Sequence, residues 1–354
     1  MSGAEARMAH EIAEAPQAVA RQAAGLARPI AELVARLRQR PPQVVVTCAR
    51  GSSAHAATYA KHLIERTIGT PVAEAAPNIA SVYGRRLNLK DQLLLAISQS
   101  GRSDDLIEMA LSARSSGALT VAMVNATDGP LARACDIVLP IGAGPELSVA
   151  ASKTFVATVS AIQRLLAAWT DDAALARAVE RLPQRLAAAT ALDWSEATAV
   201  LSRTTSLVTI GRGPTLAVAR EASLKLKETC NLHAEAFSGA EFLHGPVALA
   251  AVRYPIVMLM PTDQTAPGMH QLAADLRRKG AALLATEPGH TTSHSPGHSP
   301  GHTHGRLPAL PPEHPETDAV LLVQSFYAML IQLAGRLGLD VDRPRHLQKV
   351  TRTR

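Results

Sequence analysis

The chain has 354 residues, a formal net charge of +6 and a 47% hydrophobic fraction with only 3% aromatics, so about two domains built on Ala, Leu and Val are expected. Dispersed basic residues with few aromatics argue against nucleic-acid binding, and the absence of a run of about 18 apolar residues argues against a membrane span. Three isolated cysteines, Cys48, Cys135 and Cys230, suggest neither a disulfide framework nor a zinc ribbon, and a polar amino terminus makes a cytoplasmic protein the expectation.

Residues 5–40 read as two helices broken near Pro29. A β-branched run at 44–47 follows, then Arg50-Gly51-Ser52-Ser53 and a helical pattern over 54–68. Further strands are predicted near 71–75 and at 93–97, 118–124 and 137–140. Strands alternating with helices predict an α/β fold with a doubly wound parallel sheet, whose ligands sit at the carboxyl ends of strands. Helices are predicted at 148–169, 171–189 and 194–202. The segment Ser206-Leu-Val-Thr-Ile-Gly-Arg-Gly then echoes Val44-Val-Val-Thr-Cys-Ala-Arg-Gly, which suggests a duplicated α/β domain. A strand at 255–260 matches the one at 93–97, but its turn, Pro261-Thr-Asp-Gln, lacks the serines, so this copy is expected to have lost phosphate binding.

Residues 288–305 are low complexity and carry His290, His294, His298, His302 and His304. Without an accompanying carboxylate or cysteine they predict a flexible loop rather than a metal site. A last amphipathic helix covers 316–337, and a polar tail follows. The expected domains are residues 1–190, residues 191–338, and a closing tail at 339–354.

The stretch Leu93-Leu-Leu-Ala-Ile-Ser-Gln-Ser-Gly-Arg-Ser-Asp-Asp105 organises the chain. A buried strand opens into Ser98, Gln99, Ser100 and Ser103 around Gly101 and then into a helix. Loop amides and the positive helix end favour an anion there, while an ordinary turn with a serine N-cap is the plainer alternative. A second constellation lies at 220–246. Glu221, Lys225 and Glu228 share a helix face, which on an arbitrary helix is a solvated ion-pair ladder. His233 reads as structural, whereas the His- and Glu-rich run ending His244-Gly-Pro has the groups that proton transfer uses.

Together these motifs resemble the sugar isomerase (SIS) domain family, in its two-SIS form. The matching segments are Arg50-Gly-Ser-Ser53, Ile97-Ser-Gln-Ser-Gly-Arg-Ser103, Glu146-Leu-Ser-Val-Ala-Ala-Ser-Lys153, Leu224-Lys-Leu-Lys-Glu228, His233-Ala-Glu235, Glu241-Phe-Leu-His-Gly-Pro246 and Asp342-Arg-Pro-Arg-His-Leu-Gln-Lys349. The resemblance implies two tandem SIS domains, each a doubly wound parallel sheet flanked by helices. It extends to the isomerase half of glucosamine-6-phosphate synthase, without its amino-terminal amidotransferase domain. The Arg-Gly-Ser-Ser and Ser-Gln-Ser-Gly-Arg-Ser forms look like stand-alone amino-sugar-phosphate deaminases.

By that resemblance Ser53, Ser98, Gln99, Ser100 and Ser103 hold a phosphate, and Ser52, the Val149 backbone and Lys225 contact the sugar. Glu228 moves a proton between C1 and C2, His244 assists ring opening from the neighbouring subunit of a homodimer, and Lys349 closes over the sugar. No metal, cofactor or nucleotide is implied. The expected reaction is glucosamine 6-phosphate to fructose 6-phosphate and ammonia. Alternatives within enzymes are a galactosamine-6-phosphate deaminase, a fructosamine-phosphate deglycase and an aldose-ketose isomerase. A non-catalytic sugar-phosphate sensor is the alternative from another class.

Overall fold

The structure, a computed structural model, describes residues 6–291 and 305–349. In chain order the first elements are α1 (Arg7–Gln39), β1 (Val45–Cys48), α2 (Ser52–Thr67), β2 (Val72–Glu74), α3 (Asn78–Ser81), β3 (Leu93–Ser98), α4 (Asp104–Ser115), β4 (Leu119–Val124), α5 (Pro130–Ala134) and β5 (Ile137–Pro140). Then follow α6 (Lys153–Thr170), α7 (Ala173–Thr190), α8 (Ser195–Leu201), β6 (Ser206–Gly211), α9 (Thr215–Cys230), β7 (His233–Ser238) and α10 (Gly239–Phe242). After a 3-10 turn at Pro246–Leu249 come β8 (Pro255–Met258), α11 (Ala266–Arg278), β9 (Ala282–Pro288), β10 (Gly305–Ala309) and α12 (Pro315–Arg336).

The chain folds into two compact units, each with its own sheet. One contains Gln17–Glu146, Lys153–Glu180 and the described end of the tail. The other contains Leu147–Ser152, Arg181–Leu347 and the start of α1.

The first sheet is parallel, in the order β2-β1-β3-β4-β5. The second is parallel too, in the order β7-β6-β8-β9-β10. The two orders are the same topology, so the Arg-Gly echo marks a true structural repeat. β6 takes the place of β1, and β8 that of β3. In such a sheet the chain reverses direction between the first and third strands, which opens a crevice at their carboxyl ends. The serine turns follow β1 and β3, on that crevice.

Central strands of a parallel sheet covered on both faces read as unbroken apolar runs. Every residue of β3 is buried, as are all four of β1. One face of the first sheet packs Val46, Cys48, Leu94 and Ala96 against Leu106, Met109 and Ala110 of α4. The second repeats this with Val208, Ile210, Ile256 and Met258 against Met269, Leu272 and Leu276 of α11. α12 is the described helix long and apolar enough to cross a membrane, but most of it is buried and it packs on α8 and α9 as a core helix.

Several elements differ from the reading of the sequence. α1 runs unbroken through Pro29. Its apolar stripe, Leu26, Ile30, Leu33 and Leu37, is buried on both sides of the proline, and that packing offsets a lost hydrogen bond costing about 3 kcal/mol. α6 begins at Lys153 rather than 148, where Glu146 Oε1 accepts from Thr154 N at 2.9 Å. Strands β7, β9 and β10 were not expected. Of the histidines in the low-complexity run, only His290 lies within the described residues.

The tail is anchored by a cap. Asp342 accepts from Arg7 N at 2.7 Å and Met8 N at 2.9 Å, the first turn of α1, a contact of the kind that contributes about 1 kcal/mol. It also accepts from Ser148 Oγ at 3.3 Å.

Candidate functional site

In the first unit, β1 ends in Cys48 and the chain turns at Gly51, whose φ of 54° and ψ of −134° suit a residue without Cβ. Ser52 and Ser53 open α2, whose N-cap residue, Gly51, has no side chain to cap it. The second turn leaves β3 through Gly101, at φ 62°. Its amide donates to Ser98 Oγ at 3.1 Å, and Arg102 N donates to Ser100 Oγ at 3.3 Å. Leu131 N donates to Gly101 O at 3.1 Å, which pins the loop from behind.

Ser103 sits at the N-cap of α4, yet its hydroxyl makes no capping bond. The plain alternative, a turn explained by a serine cap, therefore does not hold. Two helix starts whose N-cap residues make no side-chain cap converge with a set of hydroxyls at the crevice, although Asp105 Oδ1 accepts from Leu106 N in the first turn of α4 at 2.9 Å; helix starts and hydroxyls together are the chemistry of an anion site. Ser98 is buried, while Ser53, Gln99, Ser100 and Ser103 are half-buried and open to a ligand.

A charge pair ties the turns together and was not foreseen. Arg50 reaches from the first turn to Asp105 of α4, with Nη2 and Nε at 2.8 and 3.1 Å from one carboxylate oxygen. The Asp105 side chain is fully buried. A buried carboxylate would repel an anion near it, and the arginine cancels that charge. Cys48 is no nucleophile in this setting: burial, then Asp105, pushes its thiol up to about 12. Burial likewise raises Cys135 to about 12 and Cys230 to about 11.

The other end of the tail motif also lies in this unit. Lys349 Nζ stands 3.4 Å from Glu146 Oε2, and the Glu146 side chain is fully buried. Lys153, itself buried, donates to Pro145 O at 2.7 Å. One glutamate thus holds both the start of α6 and the tail lysine.

The second unit carries the Glu221, Lys225 and Glu228 face, and here the solvated-ladder reading is corrected. Lys225 and Glu221 have side chains 1% and 0% exposed, with Nζ 3.4 Å from Glu221 Oε1. Tyr327 of α12 donates to the same glutamate at 2.9 Å. Lys225 also pairs with Glu228, whose side chain is 20% exposed. The face is interior because α9 packs on β6, β7 and α12. Only Glu228 reaches the surface of the cluster.

Elsewhere in this unit Val149 is half-buried, in a segment held by Glu11, which accepts from the amides of Leu147 and Ser148. His233 opens the exposed edge strand β7, with Nδ1 3.5 Å from Ser206 Oγ. His244 is exposed on the turn after α10, near the exposed apolar side chains Leu243, Leu249 and Val252. The structure therefore groups Ser52, Ser53, Ser98, Gln99, Ser100, Ser103 and Lys349 in one unit, and Val149, Lys225, Glu228 and His244 in the other. Among the described residues no cluster of three or more His, Cys, Asp or Glu could hold a metal.

The SIS domain family matches residues 40–168 and 200–286, one segment on each sheet. The chain belongs to the SIS family. The SIS segments take in both serine turns and the Lys225–Glu228 face. Glutamine--fructose-6-phosphate aminotransferase [isomerizing] of Symbiobacterium thermophilum is 33% identical over 331 residues, covering 89% of this SIS chain and 52% of that protein. The chain spans about half the length of the curated relatives it matches.

Among solved structures, a candidate phosphosugar isomerase from Silicibacter pomeroyi is 41% identical, with a TM-score of 0.87 and coverage of 95% of this chain and 100% of that one. The C-terminal domain of glucosamine-fructose-6-phosphate aminotransferase from Francisella tularensis is 24% identical, with a TM-score of 0.81, covering 97% and 99%. That second likeness shows a shared two-SIS fold.

Proposed function

We propose that the protein is a phosphosugar isomerase that carries out the isomerising deamination of an amino-sugar phosphate, glucosamine 6-phosphate foremost. The observation that carries this reading is Glu228: a carboxylate fixed by a buried lysine yet 20% exposed, in a SIS chain that keeps its serine turns. A sensor needs the turns but not such a carboxylate. Similarity to isomerizing aminotransferases and to a candidate phosphosugar isomerase supports the sugar-phosphate class.

In this reading Ser53, Ser98, Gln99, Ser100 and Ser103 hold the phosphate at the starts of α2 and α4, and Ser52, the Val149 backbone and Lys225 contact the sugar. His244 assists ring opening. In the open chain, Glu228 carries the C2 proton to C1 while a second proton passes from nitrogen to the C1 oxygen. The aldehyde becomes a hydroxymethyl group and the amine an imine, which water hydrolyses to the ketone and ammonia. Lys349 lies near C1 and C2. One carboxylate that returns the proton it takes suffices for the carbon transfer.

The test is ammonia and ketose-phosphate release across glucosamine 6-phosphate, galactosamine 6-phosphate, a fructosamine phosphate, glucose 6-phosphate and unphosphorylated glucosamine. Glucosamine 6-phosphate is expected to turn over best, and glucosamine very poorly. Ser100→Ala and Ser103→Ala are expected mainly to raise KM, because phosphate anchoring acts in ground and transition states alike. Binding of the esters with turnover of none would establish the sensor instead. Equal turnover of glucosamine and its 6-phosphate would reject the cradle.

His244 is proposed to serve the partner's site in a homodimer, on the strength of its exposure beside exposed Leu243, Leu249 and Val252. Mixing inactive Glu228→Gln with inactive His244→Ala is then expected to restore some activity through heterodimers. No recovery despite demonstrated subunit exchange would assign a complete site to each chain.

A further inference from the structure

In the second sheet, the turns equivalent to the serine cradle are closed by their own side chains. Thr215 Oγ1 donates to Leu259 O at 2.8 Å and accepts from Arg212 N at 3.0 Å. Asp263 accepts from Thr265 N at 2.9 Å, and a Cβ on Gly213 would lie 2.7 Å from its other oxygen. The crevice there is filled, and with a carboxylate.

One strand further along, at the carboxyl ends of β8 and β9, a pocket of about 350 Å³ opens. That is within the range of small-molecule sites, roughly 300–1,000 Å³. α11 lines it with Ala266, His270, Ala273 and Arg277, one stripe in which small residues make room between a histidine and an arginine. Thr262 and Glu287 line it as well. Among the described residues, neither the Arg277 guanidinium nor the His270 ring has a hydrogen-bond or ion-pair partner, although Arg277 is half-buried. Glu287 is already met by Arg306 at 3.2 Å. A half-buried guanidinium without a counter-charge is costly unless a ligand supplies one.

We propose that this pocket is a second ligand site, for a phosphate monoester of about monosaccharide size. The phosphate lies on Arg277 and His270, since a guanidinium fork matches its oxygens. Glu287 accepts from the sugar hydroxyls. Thr262 donates to Asp318 at 2.9 Å, which leaves its lone pairs to accept another. The free cation excludes a metal ion. The site is independent of the serine cradle and of the chemistry assigned to Glu228.

Equilibrium dialysis of the full chain with radiolabelled glucose 6-phosphate tests it, with gluconate as a carboxylate of similar size. The unmodified protein is expected to bind two esters per chain. Arg277→Glu is expected to weaken one site by about 10–100-fold, leaving the other and turnover unchanged. Ser100→Asp with Ser103→Asp removes the other site and leaves the Arg277 site. His270→Asp repeats the first loss if Arg277→Glu does not fold. One ester per chain that folded Arg277→Glu still binds, two in folded Arg277→Glu, or gluconate bound as tightly as the ester at the Arg277 site, would each overturn the proposal. Failure of the serine variants to remove a site would count against the cradle alone.

Discussion

Replacing Glu228 by glutamine is expected to lower kcat by about 10²–10⁴-fold while sugar-phosphate binding and folding stay intact. Glutamine keeps the shape and one oxygen but cannot take a proton. The loss therefore falls on the step in which the proton moves, not on anchoring of the phosphate, which the proposed function assigns to the serine turns. A glutamate serving only as an ion-pair partner would cost under about 1 kcal/mol of stability and nothing in rate. The measurement is ammonia and ketose-phosphate production by the variant, with competitive-inhibitor binding as the check on the pocket. Turnover near that of the unmodified enzyme would return Glu228 to a structural role.

Lys225→Met has the larger expected effect on stability, a loss of about 3–5 kcal/mol. Methionine fills the volume, but Glu221 stays fully buried and loses the ammonium 3.4 Å from its carboxylate, while Tyr327 still donates to it at 2.9 Å. A fully buried carboxylate that loses its paired cation is less well compensated for its desolvation or takes up a proton. Against a typical stability of about 5–15 kcal/mol this is a large fraction. Pairing the change with Glu221→Gln is expected to recover most of the loss, because the uncompensated charge disappears with it. Denaturant unfolding of both variants measures this. A loss below about 1 kcal/mol in Lys225→Met would show that the cluster is solvated after all.

Much of the first unit was legible in the sequence because its strands are central. β1 and β3 are buried on both faces and so appear as apolar runs ending in Gly-Ser turns. The edge strands of the second sheet were not legible. β7 reads His-Ala-Glu-Ala-Phe-Ser, with His233 and Glu235 exposed, and its small and charged residues carry little strand propensity. β10 contains Pro308, which an edge strand tolerates since one row of its amides needs no partner.

The Glu221, Lys225 and Glu228 spacing showed a shared face but not its direction. Burial there depends on α12, about a hundred residues away in the chain, whose Tyr327 hydroxyl donates to Glu221. The Arg50–Asp105 pair was hidden for the same reason. Neither partner lies near the other in sequence, and an arginine beside a glycine turn looks like any solvated charge. The motif at Asp342 was visible as a pattern, but its work as a helix cap appears only when the first turn of α1 is placed beside it.

That cap has a consequence for biosynthesis. Arg7 and Asp342 stand 335 positions apart, which at ribosomal rates of about 5–20 residues per second separates their synthesis by roughly 15–70 s. During that interval the opening turn of α1 has donors but no native acceptor. That turn is therefore expected to fray on the ribosome until Asp342 has emerged, making it the last part of the helix to gain protection from hydrogen exchange.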